Sequence, residues 1–225
     1  MSIEFKGRVA IVTGAGGGLG KQHALALARR GAKVVVNDLG GAVDGSGGSV
    51  SAAQAVVDEI RAAGGEAIAN GASVTDFAAV QGMVQQAMDT WGRVDILVNN
   101  AGILSGKTPW HELSYDEVNR FVQVNYLGYF LVSKAVYPLL KKSEYGRLIN
   151  VASRTYFLAN PGQMAYVAAK GAVMGMTRVM AKEMGDDNIC VNAVAPGGID
   201  TPMPRKYIEK FDDREGVWKA MEQAH

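Results

Sequence analysis

The sequence predicts an α/β fold in which helices cover both faces of a parallel sheet. Segments such as 9–12 and 34–36 are continuously apolar, which is typical of strands buried on both faces. Between these segments, apolar residues recur with helical spacing, so strands and helices alternate along the chain. A chain of 225 residues is long enough for one sizeable core, and we expect a single domain over 1–225.

The first strand and the first helix are joined by a glycine-rich turn. The strand over 9–12 leads into 13–20, which reads Thr-Gly-Ala-Gly-Gly-Gly-Leu-Gly, and helical spacing then continues to Arg30. Such a turn lets backbone N–H groups meet a pyrophosphate at the N-terminus of a helix. The next strand, over 34–36, leads to Asp38, and an acid at that point can accept hydrogen bonds from ribose hydroxyls. The unit therefore predicts a dinucleotide-binding site.

Asp38 favours NAD over NADP as the dinucleotide. Its carboxylate accepts hydrogen bonds from a free ribose but repels the 2′-phosphate of NADP. Neither the next residue, Leu39, nor Gly17 in the glycine turn carries a positive charge that would bind this phosphate. The segment that follows, 40–51, is rich in glycine and serine, and we expect a flexible surface loop there.

The rest of the chain continues the alternation of strands and helices. Ser114, followed three residues later by Glu117, is the pattern of a capping box at the start of a long helix. The further strands are predicted over 66–71, 94–98, 148–152 and 189–195, and the further helices over 52–63, 77–91, 113–140 and 164–184.

Tyr166 and Lys170 are candidates for proton transfer. Residues four apart share a face of a helix, so the Lys170 ammonium is expected beside the Tyr166 ring. A nearby cation lowers the pKa of a tyrosine, and such a tyrosine can exchange a proton with an alcohol or ketone oxygen. Ser153, at the end of the preceding strand, can hydrogen-bond the same oxygen. The three side chains predict chemistry at a carbinol carbon.

These motifs together resemble those of the short-chain dehydrogenase/reductase family, in the same order and over nearly the whole chain. The matching positions are the glycine turn, Asn99-Asn100-Ala101-Gly102, Asn125, Ser153 with Tyr166 and Lys170, and Pro196-Gly197. The resemblance implies a three-layer, doubly wound Rossmann sheet with strand order 3-2-1-4-5-6, without the family's usual seventh strand. It implies a substrate-binding lid over 198–225, and a homo-oligomer, dimer or tetramer, that pairs the helices over 113–140 and 164–184.

The resemblance also assigns a role to each catalytic position. In the oxidative direction, Ser153 holds the substrate oxygen and Tyr166 removes the hydroxyl proton. Lys170 lowers the pKa of that tyrosine and hydrogen-bonds the nicotinamide ribose. Asn125 bends its helix and holds a water that links Lys170 to solvent.

The dinucleotide and the substrate are expected along the carboxyl ends of the strands. Ser73 stands where the family commonly has an acid that meets adenine, so this chain departs from the family there. The positions expected to bind the dinucleotide are Gly14, Gly17, Gly18, Leu19, Gly20, Asp38, Leu39, Ser73, Val74, Asn100, Ala101, Gly102, Tyr166, Lys170, Pro196, Gly197, Ile199 and Thr201. The positions expected to line the substrate pocket are Ser153, Thr155, Tyr156, Phe157, Gln163, Tyr166 and Gly198.

Tyr156 and Phe157 indicate an apolar or aromatic group beside the carbinol. We therefore expect an NAD-dependent dehydrogenase of secondary alcohols and ketones that are apolar, aromatic or alicyclic. One alternative is a 3-oxoacyl-thioester reductase, acting on acyl-carrier-protein or CoA thioesters, or a 3-hydroxyacyl-CoA dehydrogenase. The segment 37–41 and the loop after it resemble the hydroxyacyl-CoA dehydrogenase domain of peroxisomal multifunctional enzymes. A third alternative is a dinucleotide-binding sensor without catalysis.

Composition argues against several other functions. The net charge is +1 and no basic stripe is present, so we expect no nucleic-acid partner. No apolar segment reaches membrane-spanning length and no signal peptide is apparent, so we expect no membrane partner. The single Cys190 fits a reducing cytoplasm and is expected to be a buried structural thiol. His23, His111 and His225 form no metal-ligand pattern, and we expect no metal.

Overall fold

A computed structural model describes residues 3–41, 51–104, 107–201, 205, 208–209 and 212–223. Its centre is a parallel sheet of six strands in the order β3-β2-β1-β4-β5-β6, which confirms the predicted topology. The strands are β1 Val9–Thr13, β2 Lys33–Asn37, β3 Ala67–Asn70, β4 Ile96–Asn99, β5 Arg147–Val151 and β6 Cys190–Val194.

Helices connect these strands and cover both faces of the sheet. The helices are α1 Gly18–Arg29, α2 Ser51–Ala62, α3 Phe77–Trp91, α4 Tyr115–Val122, α5 Gly128–Leu140, α6 Thr155–Leu158, α7 Met164–Glu183 and α8 Arg214–Gln223, with a 3₁₀ turn at Trp110–Glu112 and a π-helical segment at Gln123–Leu127.

The helix predicted over 113–140 begins two residues later and is interrupted by the π-helical segment. Its start is set by the predicted capping box, in which the Ser114 hydroxyl accepts from the Glu117 backbone N–H at 3.2 Å. The Glu117 carboxylate in turn accepts from the Ser114 backbone N–H at 2.9 Å. The π-helical segment Gln123–Leu127 joins α4 to α5, and Asn125 lies within it. Such a segment is common at functional sites because it redirects side chains and backbone carbonyls.

Alternating side chains of the strands fill two hydrophobic cores. Val9 and Ile11 of β1 pack on the face covered by α3 and α5. Ala10 and Val12 pack on the opposite face, covered by α1 and α2. All four are fully buried, and burying a valine or isoleucine side chain contributes about 1.5–3 kcal/mol to stability. The two cores hold the carboxyl ends of the strands in fixed positions.

Cys190 is exposed, so the prediction of a buried thiol is wrong. It begins β6, which is the edge strand of the sheet, and only alternate residues of this strand face the core. Val191 is buried against α7 and β5, whereas Cys190 and Asn192 point to the side that the described residues leave open.

Two predicted segments fall partly outside the described residues. The loop predicted over 40–51 lies mostly in 42–50, which the structure does not describe. In the predicted lid, the aromatic residues Tyr207 and Phe211 and the residue Pro204 also lie outside the described residues, whereas α8 is described. In the part of the chain that is described, none of the helices is long and apolar enough to cross a membrane.

Candidate active site

The glycine turn leaves room for a ligand at the start of α1. A Cβ at Gly14, which has a φ of +62°, would lie 2.7 Å from Ala101 Cα, and a Cβ at Gly16 would lie 2.8 Å from the Asp38 carboxyl carbon. Side chains at either position would therefore collide with the walls of the turn. At Gly17 and Gly18 an added Cβ would meet none of the described residues within 4 Å. This open side, at the N-terminus of α1, fits a pyrophosphate.

Asp38 is held between the glycine turn and its own loop. Its Oδ2 accepts from the Gly16 backbone N–H and its Oδ1 from the Gly40 backbone N–H, each at 2.7 Å. A carboxylate has about four acceptor sites, so each oxygen can accept one more hydrogen bond. The first cation of α1, Lys21, is ion-paired with Glu59 at 2.7 Å. The position of Asp38 suits the hydroxyls of a ribose.

The loop after β4 is fastened to the glycine turn. The backbone N–H groups of Asn100 and Ala101 both donate to Thr13 Oγ1 at 3.0 Å. The Asn100 side chain donates to the carbonyls of Thr13 and Gly14, also at 3.0 Å. These four hydrogen bonds fix two of the predicted dinucleotide-binding segments relative to each other.

Ser73 and Val74 lie in the loop after β3. Ser73 Oγ is 2.9 Å from Thr75 Oγ1, so its hydroxyl already has a partner. Val74 is 8% exposed and packs closely against Gly128 of α5, where an added Cβ would lie 2.8 Å from a Val74 methyl group. Val74 therefore offers little surface to an adenine, and it helps to hold the loop against α5.

Ser153 and Tyr166 are brought together by the loop after β5 and the first turn of α7. The Ser153 hydroxyl accepts from the Thr155 hydroxyl at 2.9 Å and from its backbone N–H at 3.2 Å. It is also hydrogen-bonded to the Tyr166 hydroxyl, which partly offsets the effect of burial on the pKa of that tyrosine. Phe121 packs edge-on against the Tyr166 ring, with centroids 6.5 Å apart. The two hydroxyls form one polar group, with the Phe121 ring against one side of it.

Lys170 lies deeper than Tyr166, and it is 3% exposed. Its Nζ donates to the Val151 carbonyl at 2.7 Å and to Tyr129 Oη at 3.2 Å. The same nitrogen lies 5.7 Å from the centre of the Tyr166 ring. Burial lowers the pKa of Lys170 to about 7, because a buried ammonium loses its hydration.

The expectation that Lys170 lowers the pKa of Tyr166 is wrong for the free protein. Burial is the largest influence on Tyr166 and raises the pKa of its phenol above the ordinary value of 10.0. With a pKa of about 7, Lys170 is charged in only about half of the molecules at neutral pH. For the pKa of Tyr166, the loss of hydration of both groups therefore outweighs their mutual attraction. The spacing of four residues in the sequence does not reveal this burial.

Asn125 fastens the π-helical segment to the loop after β4. Its Nδ2 donates to the Ile103 carbonyl at 3.0 Å, and its Oδ1 accepts from the Ile103 backbone N–H at 2.8 Å. Gly102 passes so close that an added Cβ would lie 2.7 Å from Asn125 Oδ1. The side chain is fully buried, and the water expected on this residue stays a prediction.

Not all residues predicted for the substrate pocket face Tyr166. The Thr155 hydroxyl is hydrogen-bonded to that of Ser153. The Gln163 side chain, just before α7, accepts a hydrogen bond from the Asn160 side chain at 3.3 Å. The Tyr156 ring packs against Gly171, which lies about 100° around α7 from Lys170. Phe157 meets that ring edge-on and is 62% exposed.

The segment after β6 approaches the site through its backbone. Pro196 contributes a carbonyl that accepts from the Arg154 backbone N–H at 3.0 Å. Within 196–201, Ile199 is 41% exposed and Thr201 is partly buried. The segment thus lies beside the Ser153 loop.

Tyr129 is a site residue that the sequence analysis missed. It lies four residues after Asn125, and its hydroxyl contacts Lys170. The available signal was this spacing, which places it on the same helical face as Asn125, together with the need of a buried tyrosine for a polar partner.

Comparison with known proteins agrees with this geometry. A sequence model of the short chain dehydrogenase family matches residues 8–212. The chain belongs to this family. Its members bind a nicotinamide dinucleotide, either NAD or NADP, and this chain is accordingly an oxidoreductase.

Several relatives show how much of the chain is shared. It is 46% identical over 195 residues to the peroxisomal hydratase-dehydrogenase-epimerase of Saccharomyces cerevisiae, a match that covers 87% of this chain and 21% of that protein. It is 42% identical over 206 residues to the (2S)-[(R)-hydroxy(phenyl)methyl]succinyl-CoA dehydrogenase subunit BbsD of Thauera aromatica, covering 92% and 79%. The chain thus spans about a fifth of the yeast relative. A crystal structure of a short chain dehydrogenase from Mycobacterium avium superposes with a TM-score of 0.76 at 46% identity, covering 85% of this chain and 68% of that one.

Proposed function

We propose that this oxidoreductase oxidises the secondary alcohol of a 3-hydroxyacyl-CoA thioester with NAD. The observation that carries the proposal is the hydrogen-bonded pair Ser153 and Tyr166, with the buried Lys170 behind it. Two hydroxyls that already share a hydrogen bond can both bind one substrate oxygen. The catalytic positions are all filled, which argues against a sensor that has lost catalysis.

The chain's own residues supply binding and proton transfer. Ser153 donates a hydrogen bond to the substrate oxygen, and Tyr166 takes the hydroxyl proton as general base. A charged Lys170 offsets part of the cost that burial imposes on the tyrosinate, which is the form that accepts this proton. The open backbone at Gly17 and Gly18 would hold the pyrophosphate of the dinucleotide, whose nicotinamide accepts the hydride when bound.

NAD is proposed over NADP because of the surroundings of Asp38. The carboxylate keeps free acceptor sites for two ribose hydroxyls. A 2′-phosphate there would meet a negative charge, with the uncharged Leu39 and Gly17 as neighbours. The nearby Lys21 is already paired with Glu59.

A thioester is favoured over a free alcohol by the relatives. The name of the Thauera aromatica relative describes a CoA thioester whose secondary hydroxyl is next to a phenyl group. This compound combines the aromatic carbinol that we expected from the sequence with the CoA thioester of the alternative substrate class. Such a substrate offers binding energy remote from the reacting carbon, which an enzyme can use to position the carbinol.

A matched pair of substrates tests the proposal. The compounds are 3-hydroxy-3-phenylpropionyl-CoA and 1-phenylethanol, which share the benzylic carbinol and differ in the thioester. We expect kcat/KM for NAD reduction to be at least about 100-fold higher for the thioester, since each 1.36 kcal/mol of binding energy is tenfold. Equal values would support a dehydrogenase of free aromatic alcohols instead. No reduction with either compound would contradict the proposal.

We further propose that the chain works as a homo-oligomer in the cytoplasm, with 1–225 as one domain and 198–225 as its lid. Met164, Ala168 and Val179 share one exposed face of α7, which supports a contact with a second copy. Beside the start of this face, an open groove of about 800 Å³ is lined in part by Trp110 and Met164. A single free cysteine fits a reducing compartment.

A further inference from the structure

Tyr129 places a hydroxyl at the inner end of the site. The residue belongs to α5, is 1% exposed, and its Oη donates to the Val151 carbonyl at 3.1 Å. The same oxygen accepts from Lys170 Nζ at 3.2 Å, and this nitrogen lies 4.9 Å from the centre of the Tyr129 ring. Burial, together with the nearby Tyr166, raises the pKa of Tyr129 well above its ordinary value, so the hydroxyl stays protonated.

Packing alone does not account for this hydroxyl. The ring is surrounded mainly by apolar side chains, among them Ala152 and Val173. The Val151 carbonyl would keep a donor without Tyr129, because Lys170 Nζ reaches it at 2.7 Å. A phenylalanine would fill the same space and leave no acceptor without a donor. A buried hydroxyl is unfavourable unless it is hydrogen-bonded. Among the described residues, the group that donates to the Tyr129 hydroxyl oxygen is the Lys170 ammonium.

Lys170 has few groups to offset its burial. The titratable groups that face its Nζ are Tyr129 from α5 and Tyr166 from α7, and β5 contributes the Val151 carbonyl. In the part of the chain that the structure describes, no carboxylate opposes the effect of desolvation on the pKa of this lysine. Two neutral oxygens therefore stabilise the charged form.

We propose that Tyr129 is a positioning residue, whose hydroxyl oxygen anchors the Lys170 ammonium so that it faces Tyr166 as a charged group. The inference rests on the proposed roles of Tyr166 and Lys170. Without this oxygen, the described residues offer the ammonium only the Val151 carbonyl as an acceptor, and the ammonium loses its proton at lower pH. The active pair, tyrosinate with ammonium, is then a smaller fraction of the molecules, and the acid limit of the pH range in which it is populated falls with the pKa of Lys170.

The first test measures Lys170 itself and needs no substrate. In protein with ¹³C-labelled lysine side chains, the Lys170 Cε resonance is assigned by its loss in Lys170→Met. We expect its titration midpoint to fall by roughly one pH unit in Tyr129→Phe, the scale of a hydrogen bond to a charged group. Tyr137→Phe is the matched control, because Tyr137 is on the same helix and its hydroxyl bonds Asp187 instead. An unchanged midpoint in Tyr129→Phe, or an equal fall in the control, overturns the inference.

The second test measures turnover against pH with NAD and 3-hydroxybutyryl-CoA. We expect the acid limb of kcat to move to lower pH in Tyr129→Phe and the plateau to fall by roughly tenfold, with the thioester KM little changed. If the maximal kcat falls while both limbs of its pH profile stay at the wild-type pH values, Tyr129 has only a structural role and the inference is overturned. Wild type without turnover would contradict the proposed function, and the resonance titration would still decide the role of Tyr129. Tyr129→Met removes the same hydroxyl if the phenylalanine variant does not fold.

Discussion

Replacing Lys170 with methionine should stabilise the protein while it removes activity. Burial lowers the pKa of Lys170 from 10.5 to about 7. A shift of this size corresponds to roughly 5 kcal/mol of lost interaction for the charged form, at about 1.4 kcal/mol per unit. Methionine has a similar length and carries no charge. The Val151 carbonyl keeps the Tyr129 hydroxyl as its donor, so the substitution leaves no buried acceptor without a partner.

The sign of the effect follows from the two pKa values. The unfolded chain holds the lysine proton up to about pH 10.5, whereas the folded protein releases it near pH 7. Between these values the unfolded state binds more protons, so wild-type stability rises with pH. The destabilisation by Lys170 is full below about pH 7, on the order of 4 kcal/mol at pH 7 and 2 kcal/mol at pH 9, and vanishes above the unfolded pKa.

Urea unfolding at pH 6, 7 and 9 measures this difference. Lys182→Met is the matched control, because Lys182 lies on the same helix and is exposed. We expect the control to change the free energy of unfolding by less than about 0.5 kcal/mol at every pH. A Lys170→Met variant that is less stable than wild type at pH 7 would refute the reasoning. So would a gain in stability that does not shrink between pH 7 and 9.

Three further predictions concern catalysis, cofactor and assembly. Tyr166→Phe should lower kcat by about 10²–10⁴-fold and leave the Kd of NAD nearly unchanged, because the phenol oxygen carries the proton. Activity within a few-fold of wild type would contradict the role of Tyr166 as general base. Wild type should prefer NAD over NADP by roughly 10²-fold in kcat/KM, and Asp38→Ala with Leu39→Arg should narrow or reverse this; equal use of NADP by wild type would show that Asp38 does not meet the ribose. Sedimentation should give a dimer or tetramer that Val179→Asp shifts toward monomer, and a wild-type monomer would count against the proposed contact.

The strands of the first β-α-β unit and the position of Asp38 could be predicted because they depend on local patterns, whereas the strand order was implied by the resemblance to the family. A continuous apolar run, a glycine turn and an acid at the end of the next strand each constrain a few adjacent residues. Ser114 and Glu117 likewise set the start of α4 through a local hydrogen-bond pattern.

The parts that the sequence analysis missed depend on neighbours distant in the chain. Cys190 lies between apolar residues in the sequence, which suggests burial. Its exposure follows from the position of β6 at the edge of the sheet. The raised pKa of Tyr166 follows from burial by several elements, which the spacing to Lys170 does not encode. The contact between Tyr129 and Lys170 joins residues 41 positions apart on different helices.

The most direct test of the central claim follows the hydrogen at the carbinol carbon. Wild type and Tyr166→Phe are incubated with NAD and 3-hydroxy-3-phenylpropionyl-CoA that carries deuterium at C3, and the reduced cofactor is analysed by mass spectrometry. We predict deuterated NADH from wild type, and its formation slowed by at least about 10²-fold in the variant. Absence of deuterated NADH with wild type, or equal formation by the variant, would contradict the claim that Ser153, Tyr166 and Lys170 oxidise this alcohol.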